Sequence, residues 1–156
     1  MALDLITGEP APGAIPAAAG DVRLGRGAWL YHERHGEPAA GRPPLLLLRP
    51  LGGNISLWGR FRTGLARTFE VISFDPRGSG RSSAAPALNT TRTMARDALA
   101  LMDHLGHGLF DLFGMSLGSM VAARLCIEQP ERVRRLVLAS TTERGLSVSR
   151  AGLGQG

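Results

Sequence analysis

The sequence contains no lysine, a single cysteine and few aromatic residues. All 18 basic residues are arginines, set against 13 acidic residues, and the formal net charge is +5. A nucleic-acid-binding surface needs clustered basic residues with aromatic residues beside them. Here the arginines are dispersed along the chain and aromatic residues make up only 5% of it. We therefore attribute the arginine content to a GC-rich coding sequence and predict no nucleic-acid partner.

The single cysteine and the absence of long apolar runs indicate the cellular compartment in which we expect the protein. Cys126 has no second cysteine with which to form an internal disulfide, so we expect a small, buried apolar side chain within a helix. The N-terminus lacks a basic region followed by an apolar run, which a signal peptide would show. No segment approaches the ~18 apolar residues of a membrane span. These features predict a soluble cytoplasmic protein that does not contact a membrane.

The length of 156 residues suits one domain with a real hydrophobic core. Residues 1–21 are rich in Ala, Pro and Gly and show no periodicity, which predicts a flexible tail. A patterned core follows over 22–143, and 144–156 form a second tail of Gly, Ser and Arg.

Apolar runs and helical spacings alternate through the core. The strand candidates are 22–24, 29–33, 45–48, 69–74, 109–113 and 133–139, and the helix candidates are 57–65, 90–105 and 117–129. Continuous apolar runs such as 45–48 are typical of parallel strands that are covered on both faces. Alternating strands and helices predict the α/β class, a mostly parallel sheet flanked by helices.

A G-x-S-x-G motif lies between the last central strand candidate and the helix after it. It consists of Gly114, Met115, Ser116, Leu117 and Gly118. A serine hydroxyl is a poor nucleophile unless a sharp turn exposes it, a base accepts its proton and N–H groups stabilise the oxyanion. Glycines two residues before and after the serine permit such a turn, because a Cβ there would clash. The motif in this context predicts the nucleophile elbow of a serine hydrolase.

With two further motifs in the expected order, the chain resembles the N-terminal part of α/β-hydrolase fold enzymes, the group that includes esterases, lactonases and epoxide hydrolases. The resemblance covers about 22–142 and rests on 45–53, 75–82 and 114–118. It implies hydrolysis of an ester or related acyl bond in a small molecule, with no cofactor and no metal.

The resemblance also assigns roles to individual residues. Ser116 would be the nucleophile, and the backbone N–H groups of Leu51 and Leu117 would form the oxyanion hole. Gly114, Met115 and Gly118 would complete the elbow.

Several positions depart from the family pattern. Arg49-Pro50 stands where the family usually has His-Gly, and Arg49 has two interpretations, a preference for anionic substrates or a structural role. Ser119 occupies a position that is often glycine, and Met115 could line the pocket or fill the core.

The loop 75–82 also contains part of a dinucleotide-binding glycine pattern. Ser83 replaces its third glycine and Pro86 interrupts the segment, so we favour a structural loop.

The sequence after Ser116 contains no histidine and only three acids, Glu128, Glu131 and Glu143. In this fold the acid and the histidine of the triad follow the serine along the chain. The four histidines all precede it: His32, His35, His104 and His107. We therefore expect a fragment with an incomplete triad. A C-terminal half would supply the missing acid and histidine. The sequence does not determine whether the chain is active by itself.

The alternative hypothesis is a non-catalytic α/β interaction module. The strand candidate 133–139 would form an exposed apolar edge, through which the chain would self-associate or bind a partner.

Overall fold

The computed structural model describes residues 16–52, 54–85 and 89–140. In this part of the chain one sheet contains six strands: β1 (Ala18–Arg23), β2 (Trp29–His35), β3 (Leu45–Leu48), β4 (Val71–Phe74), β5 (Phe110–Met115) and β6 (Val133–Ala139). Their order across the sheet is β1-β2-β4-β3-β5-β6. The β1–β2 and β2–β4 pairs are antiparallel, and the other three pairs are parallel. The predicted mostly parallel sheet is confirmed.

Helices cover both faces of the sheet. A 3₁₀ turn (Ile55–Trp58) leads into α1 (Gly59–Leu65) on one face, and α2 (Thr91–His104) and α3 (Leu117–Glu128) pack together on the other. Alternate residues of the central strands enter two core clusters. Leu46 and Ile72 pack toward α2 and α3, whereas Leu45 and Val71 pack toward Ile55 and Trp58. All four residues of β3 are buried, as expected for a strand covered on both faces.

The strand β6 lies at the border of the described sheet and pairs there with β5. Val137 and Leu138 are 51% and 38% exposed, although they belong to an apolar run. The predicted edge position of this strand is confirmed.

The strand β1 begins at Ala18, inside the segment whose composition predicts a tail and four residues before the strand candidate at 22–24. Its small residues show no alternation, and the strand is defined instead by pairing of its backbone with β2, from Ala18 opposite Arg34. Residues 1–15 of the predicted N-terminal tail and the whole of the predicted tail 144–156 lie outside the described residues. Cys126 lies in α3, as predicted, but is only half-buried.

None of the helices in the described ranges combines the length and the apolar character needed to cross a lipid bilayer.

Candidate active site

Ser116 lies on the turn between β5 and α3. Its backbone angles are φ 52° and ψ −116°, a combination that is strained for any residue with a Cβ. The predicted strand-to-helix position of this serine is therefore confirmed. A strained residue of this kind persists only where the surrounding structure holds it in place.

The two glycines of the motif are required by close backbone packing. A Cβ on Gly114 would lie 2.5 Å from the carbonyl oxygen of Gly118. A Cβ on Gly118 would overlap the carbonyl group of Leu48 and approach the carbonyl oxygen of Arg49 to 2.8 Å. Gly118 therefore allows the start of α3 to pack against the end of β3, where the turn that contains Leu51 begins.

Ser119 stabilises the turn that contains Ser116. Its Oγ lies 2.7 Å from the carbonyl oxygen of Gly114 and 2.8 Å from that of Ala139, and the side chain is fully buried. The same Ala139 oxygen accepts a hydrogen bond of 2.9 Å from the N–H of Ser116. The sequence showed Ser119 only as a departure from the family pattern, because its partners lie on two different strands.

The turn that follows β3 faces the elbow across a shared cavity, whose walls include Leu51, Ser116 and Leu117. As the first residue of α3, Leu117 has an N–H without an intrahelical acceptor, and the helix dipole makes this end electropositive. Arg49 closes the turn: its Nη1 donates to the carbonyl oxygen of Pro50 at 2.7 Å and to that of Gly52. The assignment of the N–H groups of Leu51 and Leu117 as oxyanion donors stays a prediction.

The cavity has a volume of about 900 Å³ and mostly apolar walls. Its apolar lining includes Leu48, Phe74, Met94, Met120 and Val121. Met115 packs instead into the core around Trp58, so the structure supports the core interpretation of this residue.

One wall of the cavity carries the ion pair of Arg77 with Asp97. Nε and Nη2 of the arginine each lie 2.7 Å from a carboxylate oxygen, and Asp97 is 7% exposed. Asp97 is not among the site residues that the sequence predicts. The available signal was an acidic residue three positions after Met94, within the apolar stripe of α2.

The loop after β4 is fixed by buried hydrogen bonds. The Asp75 carboxylate accepts from the N–H of Ile55 at 2.7 Å and from the N–H of Arg81 at 2.9 Å. The side chain of Arg81 in turn donates to Glu33 at 2.8 Å. The loop does not lead directly into a helix, since α2 begins only at Thr91. These contacts support the structural interpretation over a dinucleotide site.

The four histidines lie away from the described walls of the cavity. His32 and His35 belong to β2 and are buried, and His104 ends α2. His107 precedes β5, at the strand end opposite Ser116. Burial lowers the pKa of His32 and of His107, so both are neutral near pH 7.

The acids after Ser116 are also distant from it where they are described. Glu128 is the last residue of α3, roughly 16 Å along the helix from Leu117, and it pairs with Arg92 and Arg124. Glu131 lies beyond the helix in a 3₁₀ turn, and Glu143 lies outside the described residues. Within the described ranges no group of three His, Cys, Asp or Glu side chains could hold a metal ion.

A family match shows the class of protein to which this chain belongs. Residues 43–152 match the model of the alpha/beta hydrolase fold. The chain therefore belongs to the alpha/beta hydrolase fold family.

Its relatives are longer proteins. The chain is 34% identical over 112 residues to RutD of Caulobacter vibrioides, provisionally named a carbamate hydrolase, and this match covers 71% of the chain and 42% of RutD. A hydrolase from Pseudomonas aeruginosa PA01 has a similar structure, with a TM-score of 0.72 and 33% identity, over 78% of this chain and 45% of that one. The enol-lactonase from Burkholderia xenovorans LB400 gives a TM-score of 0.67 and 29% identity, over 71% and 43%. The chain thus spans less than half the length of the relatives it matches.

Proposed function

We propose that the chain is the nucleophile-bearing part of a serine hydrolase that cleaves an ester or a related acyl bond in a small molecule. The main support for this proposal is the strained backbone of Ser116. This residue immediately precedes α3 and lies in the wall of an apolar cavity. A serine on a flat surface or inside a regular helix would have no reason to adopt this strained conformation.

The chemistry assigned to the site is acyl transfer. Ser116 Oγ adds to the carbonyl carbon while a base takes its proton, and the N–H groups of Leu51 and Leu117 donate to the oxyanion. The leaving group departs with a proton, and water then hydrolyses the acyl-enzyme. Preorganised donors of this kind act most strongly in a site that excludes water, and the apolar walls favour this condition.

We further propose that the base and its acidic partner come from a C-terminal half. Two observations support this: no histidine follows Ser116, and the chain matches only 42–45% of the length of its relatives. In a well-studied triad enzyme, loss of the base reduces turnover about 10⁶-fold and leaves ~10³–10⁴-fold catalysis over water. The chain alone should therefore turn over activated esters weakly or not at all.

The substrate class follows from the relatives and from the cavity. The relatives are named for the hydrolysis of a carbamate and of an enol-lactone, and both substrates contain a carbonyl carbon bonded to oxygen. We propose an ester, lactone or carbamate with an apolar portion that fills the space near Met94 and Val121.

The test has a labelling arm and a turnover arm. With the C-terminal half of a relative added to supply the base, a fluorophosphonate probe should label the chain at Ser116, and Ser116→Ala should abolish labelling. Ser79→Ala, which removes a second serine from the same cavity, should retain it. Hydrolysis of p-nitrophenyl acetate should rise when the C-terminal half of a relative is added, in a Ser116-dependent way. Robust turnover by the chain alone would refute the assignment of the base to another segment.

The exposed edge of β6 favours a second candidate function, the non-catalytic interaction module. Val137 and Leu138 present apolar side chains beside a backbone edge that is unpaired in the described sheet. We propose that the chain self-associates through this edge when no C-terminal half covers it. Light scattering at high concentration should show oligomers that Val137→Arg disperses. A module without catalysis would show this assembly and no labelling of Ser116 even with the C-terminal half of a relative added.

A further inference from the structure

Arg49 differs electrostatically from the other charged residues of the cavity. The remaining charged side chains in the wall are Arg77 and Asp97, and they neutralise each other in their ion pair. Arg49 forms no ion pair with any described residue. The described cavity wall therefore carries one positive charge that no carboxylate balances directly.

The hydrogen-bonding capacity of Arg49 is only partly used. Its Nη1 donates to Pro50 and Gly52, while its buried Nε has no hydrogen-bond partner among the described residues. A guanidinium offers five N–H donors in a planar fork that matches a carboxylate.

The surroundings keep Arg49 charged and make the charge effective. Burial lowers the pKa of Arg49, but a guanidinium remains protonated in proteins. Asp75 is the acidic group whose charge acts on Arg49; its carboxylate accepts from the N–H groups of Ile55 and Arg81 and forms no ion pair with Arg49. Apolar walls with a low local dielectric strengthen any interaction between Arg49 and an anion.

We propose that Arg49 binds an anionic group, a carboxylate, on the substrate that occupies the Ser116 cavity. The cavity therefore selects acyl compounds that carry a negative charge beside an apolar portion. This inference rests on the proposed function in so far as it names the ligand a substrate. Arg49 acts here as a residue that determines specificity, and its bonds to Pro50 and Gly52 hold the guanidinium in place.

A purely structural role for Arg49 makes a different prediction. If the side chain only closed the turn at 50–52, its replacement would weaken the binding of charged and neutral ligands equally. An anion site changes the ratio between the two. The ratio is therefore the quantity to measure.

The experiment compares monomethyl adipate, a monoanion, with dimethyl adipate, its neutral analogue, in ligand-observed NMR titrations. The unmodified chain should bind the monoanion about tenfold more tightly, which corresponds to about 1.4 kcal/mol. Arg49→Gln should bring the ratio close to one, and Arg49→Lys should keep most of it. Arg60→Gln removes the same charge from an exposed position of α1 and should leave the ratio unchanged. An unmodified chain without a preference, or a preference that survives Arg49→Gln, would overturn the proposal.

A second measurement needs no variant and remains informative if Arg49→Gln fails to fold. Phenylglyoxal modifies accessible arginines, and mass spectrometry of peptides identifies the modified positions. The monoanion should slow modification of Arg49 and the diester should not; equal rates with both ligands would refute an anion site. Fluorophosphonate labelling after addition of the C-terminal half of a relative, which supplies the base, tests Ser116 separately. Preserved anion preference without labelling would reject the proposed function and retain the anion site.

Discussion

The amino and carboxyl ends of the parallel strands differ in their ion pairs and in their backbone strain. At the amino ends, buried acids are paired with arginines: Glu70 with Arg34, and Asp111 with Arg134 at 2.6 Å. At the carboxyl ends lie the strained Ser116, an open apolar cavity and an arginine without an ionic partner. The amino end thus pairs its buried acids with arginines, whereas the carboxyl end has a strained serine and an arginine without an ionic partner.

The largest expected effect comes from backbone packing, which is tight at the carboxyl end of the strands and open at the amino end. Gly118→Ala adds a Cβ that overlaps the carbonyl group of Leu48 at the carboxyl end, and we expect a loss of about 3 kcal/mol or more in the free energy of unfolding. Gly108→Ala is the matched change at the amino end, where nothing lies within 4 Å of the added atom. It should change stability by about 0.5 kcal/mol or less. Urea denaturation measures both, and equal losses would remove the distinction.

Glu33 supports the loop beside the cavity and provides a test by pH. Its carboxylate lies 2.9 Å from Arg62 and 2.8 Å from Arg81. Burial raises the pKa of Glu33, but the hydrogen bond from Arg81 and the charge of Arg62 outweigh it, and the net pKa lies below the ordinary 4.5. Because the folded-state pKa is depressed, the stabilisation is complete above the unfolded-state pKa and is lost as the pH falls through the folded-state value.

The expected results for Glu33→Gln follow from the lowered pKa of Glu33 in the folded state. At pH 7 the variant should lose about 2–3 kcal/mol, because Arg62 stays buried without its carboxylate. Its stability should also fall less than that of the unmodified protein below pH 4.5. Glu131→Gln, at an exposed position, is the control and should change neither quantity. Denaturant unfolding at a series of pH values provides both; an unchanged acid profile would contradict the role of Glu33.

Ser119 tests whether the strain at the elbow is held locally. Ser119→Ala removes the hydroxyl between the carbonyl oxygens of Gly114 and Ala139, and we expect a loss of about 1–2 kcal/mol. Fluorophosphonate labelling of Ser116, measured with the C-terminal half of a relative added, should slow in parallel. Ser56→Ala removes an exposed hydroxyl and serves as the control. Labelling at the normal rate in a destabilised Ser119→Ala variant would show that the elbow does not depend on this bond.

The smallest effect belongs to the amino end. Burial lowers the pKa of His107 below its ordinary 6.5, so protonation favours the unfolded state and stability falls as the pH drops below 6.5. His107→Gln should make the dependence of stability on pH shallower between about pH 5 and 6.5. His104→Gln, at the end of α2, is the comparison. An identical slope in the His107 variant and the unmodified protein would contradict the effect of burial.

The sequence could predict the features that depend on local order. The buried run of β3, the helical spacing of α2 and the elbow at Ser116 are each determined by residues within one short segment. The start of β1 was wrong by four residues, because Ala and Gly carry no alternation and that strand is defined by its partner.

The features that could not be predicted join distant segments. The pair of Arg77 with Asp97 spans 20 residues, and Ser119 reaches a carbonyl oxygen 20 residues later in the chain. The two interpretations of Met115 were likewise separable only once the direction of its side chain was known. Pairings of this kind depend on the register of the sheet, which a single sequence does not determine.

The Ala139 carbonyl oxygen has a consequence for any attempt to shorten the chain. It receives the N–H of Ser116 and the hydroxyl of Ser119, yet it belongs to the last residue of β6, at the border of the described sheet. A truncation before this point would remove the acceptor that fixes the serine, even though the G-x-S-x-G sequence stayed intact. The smallest piece of chain that preserves the elbow therefore extends through Ala139.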